Sequence, residues 1–183
     1  MNKVLSFQDI LQLDYGNNSY TVFFSSLERQ LLEYKKECNL DLNPEFQRGY
    51  VWTETQKEKY VEFLLRGGKS ARDIYFNFPH YTKGTNDREV DPILNRMVIV
   101  DGKQRLSAIL GFMRNEVKAF GYFYKDFDGV IRHSKNYLTF NINELTTRKD
   151  ILNWYLDFNS GGTVHTEEEL DKVRRLIKTQ ATL

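Results

Sequence analysis

Met97-Val98-Ile99-Val100-Asp101-Gly102-Lys103-Gln104-Arg105-Leu106-Ser107-Ala108-Ile109-Leu110 is the stretch on which the reading of this chain turns. Met97 to Val100 are apolar and rich in β-branched side chains, the composition of a short buried strand. Asp101-Gly102 then breaks the strand in a tight turn. From Lys103 the period changes, and Leu106, Ile109, Leu110 and Met113 fall on one face of a helix. A strand, a sharp glycine turn and a helix leave unpaired backbone N–H groups at the helix start, a place that attracts anions and phosphate above all. Two readings of the polar residues are open. Asp101 caps the helix and its neighbours are solvated, or the carboxylate, the amide and the two cations packed into five residues form a site. A plain connection has no use for that density, so the second reading leads.

Outward from this centre, Tyr20-Thr21-Val22-Phe23-Phe24 has strand composition. Ser25 with Glu28 has the spacing of a capping box for a helix carrying Leu27, Leu31 and Tyr34. Upstream, Phe7, Ile10, Leu11 and Leu13 suit a short helix, and Asp14 to Asn18 a turn cluster. Leu40 and Leu42 alternate as in a strand that Pro44 stops. Phe46, Tyr50 and Trp52 supply apolar anchors around Gln47 and Arg48. Thr53 with Gln56 is a second capping box, opening a helix with Tyr60, Val61, Leu64 and Leu65 that Gly67-Gly68 ends. Gly68-Lys69-Ser70 invites comparison with a phosphate-binding P-loop. The comparison fails, because Phe63 stands where that motif needs glycine and a helix stands where it needs a strand.

Ile74 to Phe78 reads as a strand, 79–95 as a polar loop or loose hairpin, and Ala119 to Tyr124 as another strand. Asp126-Phe127-Asp128-Gly129 is a turn with too few ligands ahead of its glycine for a calcium loop. Tyr137 to Ile142 is a strand, and a helix from about Thr147 buries Ile151, Trp154, Tyr155 and Phe158. Asn159-Ser160-Gly161-Gly162-Thr163 breaks that helix, and Thr166-Glu167-Glu168-Glu169 opens the last one. The paired glycines serve either a left-handed turn or a close backbone approach to a ligand.

The 183 residues suit one domain, and 13 Phe with 11 Tyr are enough for a sizeable core. A net charge of +1 excludes a general basic footprint for nucleic acid, though it leaves room for a local one. The single Cys38 excludes an internal disulfide and a cysteine-based zinc site. No apolar run approaches a membrane span or the core of a signal peptide, so a cytoplasmic location is expected. His80, His133 and His165 lie far apart in unrelated contexts, which argues against a metal centre.

Three pieces in order, Phe46-Gln47-Arg48-Gly49-Tyr50-Val51-Trp52, then Asp101-Gly102-Lys103-Gln104-Arg105-Leu106, then Phe158-Asn159-Ser160-Gly161-Gly162-Thr163 with Glu169-Leu170, together resemble one known domain. It is the N-terminal domain of GmrSD-type modification-dependent restriction systems, within the ParB/sulfiredoxin-like superfamily, and the resemblance spans about residues 25–178. It implies an α/β to α+β fold in which a small mixed sheet is flanked by helices. On that reading 25–183 is a single nucleotide-binding domain and 1–24 an N-terminal arm or extra strand. The resemblance also implies binding or hydrolysis of a nucleoside triphosphate at the Asp-Gly-x-Gln-Arg motif, here Asp101, Gly102, Gln104 and Arg105. Lys103 departs from the Gln usual in the family, adding a cation. Members continue into helical regions and an HNH-like nuclease domain, whereas these 183 residues stop after the last helix, so HNH cleavage is not expected of them.

Two classes of function follow. In the first, an NTPase or phosphotransferase in phage defence, Arg105 offers its planar donor fork to phosphate and Gly102 lets the backbone approach. Lys103, Gln104, Arg48, Gln47, Asn159, Gly161 and Gly162 complete the binding set, and Asp101 orients a nucleophile or holds Mg2+ through water. In the second, the domain binds DNA, senses a nucleotide, or is a stand-alone regulator or inhibitor of a defence system, with DNA carrying modified bases or a separate effector protein as its partner. Lys172, Arg174, Arg175 and Lys178 at the end of the last helix are its basic feature, although such residues also suit any helix C-terminus.

Overall fold

A computed structural model describes residues 18–82, 91–132, 135–160 and 167–179. The chain enters at β1 (Asn18–Phe23) and passes straight into α1 (Phe24–Glu37), then α2 (Glu54–Leu65), β2 (Asp73–Asn77) and β3 (Val98–Asp101). There follow α3 (Lys103–Met113), a single 3-10 turn at Tyr124–Asp126, β4 (Tyr137–Asn143), α4 (Arg148–Ser160) and α5 (Glu167–Thr179). The strands form one mixed sheet in the order β1-β4-β2-β3, with β4 and β2 parallel and the two outer pairings antiparallel. This is the small mixed sheet flanked by helices, an α+β fold, that the family resemblance implies.

The alternation in β3 shows why a continuous apolar run was needed there. Met97 and Ile99 face a core built with α1, α2 and α3, while Val98 and Val100 face a second core built with α4 and α5. A strand covered on both faces has no polar side. In the first core Leu27, Val61, Leu64 and Ile109 close over Ile74, Phe76, Leu138 and Phe140. In the second, Ile151, Leu152 and Trp154 meet Tyr75 and the two valines. The free edge of β3 is covered by 38–41, where Asp41 N–H donates to Met97 O at 2.8 Å and Ile99 N–H to Asp41 O at 3.1 Å. That covering edge is what the alternation of Leu40 and Leu42 becomes, a single bridge from Asp41 to Val98 rather than a full strand.

Several local expectations are corrected. The Ser25–Glu28 capping box does not form. The helix starts at Phe24 directly off the strand, Phe23 holds the cap position with no side-chain bond, and Glu28 pairs with Arg114 instead. Ala119–Tyr124 is no strand: Ala119 and Tyr122 exchange both backbone hydrogen bonds in a tight turn, with Phe120 at φ 53 and Gly121 at φ 83. Asn159-Ser160 does not break its helix, since α4 runs through Ser160. The loop read at 79–95 is not polar throughout, because Ile93 and Leu94 are buried in the second core. The proposed helix at Phe7 to Leu13 lies outside the described residues, as does the glycine pair Gly161-Gly162.

The Thr53–Gln56 capping box forms as the spacing requires, with Gln56 N–H donating to Thr53 Oγ1 at 3.2 Å and Thr53 N–H to Gln56 Oε1 at 2.8 Å. Gly67, at φ 90, ends α2 as expected.

Candidate functional site

The turn between β3 and α3 depends on one residue. Gly102 has φ 93, and a Cβ there would stand 2.7 Å from Ile74 Cδ1 and 3.1 Å from the Asp73 carbonyl oxygen. Only glycine combines that left-handed conformation with such close approach to β2. Gly102 is also the cap residue of α3 and gives it no side-chain cap. Asp101 is therefore not the helix cap. Its carboxylate instead accepts a hydrogen bond from the Arg105 guanidinium, one helical turn ahead, with the two side chains 31% and 18% exposed. With no side-chain cap from Gly102, the first turn of α3 brings the positive end of the helix dipole to this turn.

In front of this turn opens a cleft of about 300 Å3. Asp101 to Arg105 form one wall, Gln47, Arg48 and Trp52 a second, and Tyr155, Phe158 and Asn159 of α4 a third. Residues from all three motifs, far apart in the sequence, thus line one cavity, Phe158 and Asn159 doing so for the third. Arg105 is half-buried on its wall beside Asp101, and Arg48 stands across from it on the loop.

The polar residues divide by what their side chains already hold. Gln104 is buried, its Oε1 accepting from Val51 and Trp52 N–H at 3.1 and 3.3 Å and its Nε2 donating to Gly49 O at 2.8 Å. Gln47 Nε2 donates to Val100 O at 2.6 Å and to Ile99 O at 3.1 Å. The two amides fasten the 47–52 loop to the end of β3 and the start of α3. The Lys103 amine donates to Arg48 O at 2.8 Å and lies 4.7 Å from the Tyr50 ring centroid. Burial lowers its pKa from the ordinary lysine value, and the Asp41 carboxylate opposes that shift. Asn159 Nδ2 donates to Tyr155 O at 2.6 Å, inside α4. Arg105 and the helix N-terminus are the donors that the cleft presents most directly.

Sequence reasoning missed part of the wall. Tyr155 and Phe158 read as core residues, yet both also border the cleft. Their spacing along α4 with Asn159, one helical turn, is the signal that places them together. Ala71 closes another side at φ 56, a conformation for which no sequence feature prepares. It is held by Tyr60, whose hydroxyl donates to Ala71 O at 2.7 Å, and by its neighbour Arg72. The buried Arg72 guanidinium donates to Gly68, Tyr137 and Lys135 carbonyls at 2.7, 2.7 and 2.9 Å. Tyr60 stacks edge-on against Trp52 at 5.3 Å between centroids, and burial pushes its hydroxyl pKa well above the ordinary tyrosine value.

Among the described residues no group of three His, Cys, Asp or Glu side chains converges to hold a metal. No helix among them is long and apolar enough to cross a membrane. No curated protein and no solved structure matches the chain. A family model does, described as GmrSD restriction endonuclease, N-terminal domain, and it matches residues 27–180. That span takes in β3, α3, the 44–53 loop and α4, so every wall of the cleft lies within it, and the chain belongs to the GmrSD restriction endonuclease N-terminal domain family.

Proposed function

We propose that the cleft binds the phosphate tail of a nucleoside triphosphate and catalyses its hydrolysis or phosphoryl transfer, in the service of restriction. The observation that carries this reading is the convergence of Arg105, Arg48 and the uncapped start of α3 on one cavity. Phosphoryl transfer asks for positioning and charge neutralisation more than for covalent chemistry. A guanidinium held by a carboxylate, beside a helix N-terminus, supplies both. At about 300 Å3 the cavity suits the phosphates and sugar of a nucleotide, with Trp52, Tyr155 and Phe158 as apolar walls.

Arg105 and the backbone N–H groups of Lys103 and Gln104 take the phosphate oxygens. Gly102 keeps the backbone close enough for them to do so. Asp101 fixes the Arg105 fork and orients the attacking oxygen at the γ-phosphorus, and hydrolysis releases nucleoside diphosphate and inorganic phosphate. The Lys103 amine supports the loop that carries Arg48. Gln47, Gln104 and Asn159 hold the walls in register, and Gly161 and Gly162, which follow α4, extend the nucleotide-binding set.

Mg2+ fits this site in one manner only. With no three-ligand cluster among the described residues, it would come with the phosphates and keep most of its water, Asp101 giving one outer contact. Its chemistry there is neutralisation of phosphate charge.

Calorimetric titration with each NTP and magnesium, paired with phosphate release, tests the proposal. A saturable heat for at least one NTP, weakened roughly ten- to hundredfold in Arg105→Ala, is expected. No heat with any NTP in the folded protein overturns it, and heat without phosphate release reduces it to nucleotide sensing.

A further inference from the structure

A second surface has the chemistry of a ligand contact and no part in the cleft. It follows α3 at the opposite end from Gly102, roughly 16 Å along the helix axis by the rise of eleven residues. The sequence there is Lys118-Ala119-Phe120-Gly121-Tyr122-Phe123-Tyr124-Lys125. We propose that this turn binds nucleic acid through unpaired bases, stacking them on Phe120 and Tyr122 while nearby cations meet the backbone phosphates.

The first argument is that the rings are displayed by construction. Phe120 is held at φ 53, a region that bulky residues rarely occupy. The turn that imposes it is fixed from three sides. Ala119 and Tyr122 exchange N–H···O bonds of 2.9 and 3.0 Å, Phe120 N–H donates to Glu62 Oε1 at 2.7 Å, and Phe123 N–H donates to Asp126 Oδ2 at 3.0 Å. Below the turn, Tyr124 and Phe127 pack edge-on against the buried Phe112 at 5.5 and 5.9 Å. The outcome of all this anchoring is that Phe120 remains 41% and Tyr122 58% exposed. Tyr122 lies edge-on to Phe127 at 6.2 Å and Phe120 meets Arg66, and the ring surface that stays in water is a platform on which a planar group can stack.

The second argument is charge. The Arg66 guanidinium lies 5.0 Å from the Phe120 ring centroid, and the Lys118 and Lys125 amines lie 5.0 and 6.0 Å from that of Phe123. The carboxylates of Glu62 and Asp126 accept from the backbone N–H groups of Phe120 and Phe123, Asp126 doing so at the surface. Asp128 is the remaining acid of the turn. Cations set over ring faces, beside acids that hold the main chain, suit a polyanion that also carries π-faces. Unpaired nucleic acid is the polymer with both, while a duplex hides its bases and shows phosphate alone. The basic end of α5 is a poorer candidate, since Arg174 is paired with Asp171 at 2.8 Å and Arg175 Nε donates to Asp171 O at 3.3 Å.

The test is fluorescence anisotropy of the full chain with labelled oligothymidine and with a duplex of the same length, at two salt concentrations. Single-strand binding tighter than duplex binding is expected. Tyr122→Ala and Phe120→Ala should each weaken it roughly five- to hundredfold, by the usual worth of one stacked base. Lys118→Ala and Lys125→Ala should each lower the slope of log affinity against log salt by roughly 0.7. Circular dichroism accompanies each variant, and if Phe120→Ala unfolds then Tyr122→Ala decides, since its ring is the more exposed. No oligothymidine binding, a preference for the duplex, or full affinity in folded Tyr122→Ala overturns the proposal, the second in favour of duplex DNA and the third in favour of a strand site elsewhere on the chain. NTP titration of the turn variants should match wild type, and Arg105→Ala should keep its oligothymidine affinity, so this proposal and the nucleotide reading fail separately.

Discussion

Arg105 donates to the Asp101 carboxylate across the β3–α3 turn, one helical turn apart and at the mouth of the cleft. The pair links the end of a strand to the start of a helix and leaves the rest of the guanidinium fork for a ligand. Arg105→Ala should leave the fold intact, because the side chain is half-buried in the cleft and is part of neither core. Nucleotide affinity should fall ten- to hundredfold, the worth of about 1.5–3 kcal/mol for a charged hydrogen bond. Calorimetry on a variant with native circular dichroism checks this, and unchanged affinity removes Arg105 from the site.

Asp101→Asn separates binding from turnover. The amide still accepts from Arg105, and Gly102 rather than Asp101 occupies the helix cap, so the helix start loses nothing. NTP binding should persist while phosphate release falls by at least tenfold, measured under saturating nucleotide. Full turnover would confine Asp101 to holding Arg105.

Gly102→Ala tests the turn itself. The new methyl group meets Ile74 Cδ1 at 2.7 Å and the Asp73 carbonyl at 3.1 Å, in a backbone conformation that L residues rarely adopt. A cost of about 1–3 kcal/mol is expected, which lowers Tm by several degrees for a chain of this size. Nucleotide affinity should fall as well, since relief of the clash moves the α3 N-terminus. A melting curve unchanged from wild type would show that the turn has slack.

The strand–glycine–helix unit was legible because each of its parts has a local cause: β-branched residues, one forced left-handed glycine, then a helical apolar stripe. The Thr53–Gln56 box was legible for the same reason. The identical spacing at Ser25–Glu28 misled, because β1 runs on to Phe23 and leaves no loop for Ser25 to cap. Ala119 to Tyr124 misled in another way: its aromatics have strand composition, but Gly121 and a left-handed Phe120 fold them into a turn whose neighbouring rings seek Phe112. For the candidate site, the tertiary fold brings the described residues that the sequence singled out to one cleft and divides the bonds they make. Nothing local to Gln104 says that its amide will bind the main chain of Gly49, Val51 and Trp52, half a hundred residues upstream.

That division of labour is open to test at Gln104. Gln104→Met keeps the volume and removes all three hydrogen bonds to the 49–52 segment. Hydrogen exchange at Val51 and Trp52 should accelerate, while the amides of β2 and β4 keep their protection. Affinity for NTP should drop because the loop that presents Arg48 is held less firmly, by Gln47 and Lys103 without Gln104. Gln104→Glu, which retains both acceptor bonds and loses only the donor to Gly49 O, should keep part of the Val51 and Trp52 protection. If Gln104→Met leaves exchange unchanged and abolishes binding, the amide contacts the ligand and is not a loop fastener.

Lys103 gives the last prediction, through pH. In the unfolded chain its amine holds a proton up to the ordinary value of 10.5, whereas burial between the Arg48 carbonyl and the Tyr50 ring lowers that value in the folded protein. Between the two values the unfolded chain binds more protons than the folded one, so this group makes stability rise with pH across that window. Below the window the charged amine carries its full desolvation cost, and above 10.5 the cost is gone. Lys103→Met has no such titration. Urea unfolding of both proteins should therefore show the stability of wild type, relative to Lys103→Met, increasing as pH is raised from 8 towards 10.5. Taking the difference removes the titration of Cys38 and the tyrosines, which the two proteins share. A difference that stays flat over that range would mean the amine titrates alike in both states, and that its bond to Arg48 O offsets the burial.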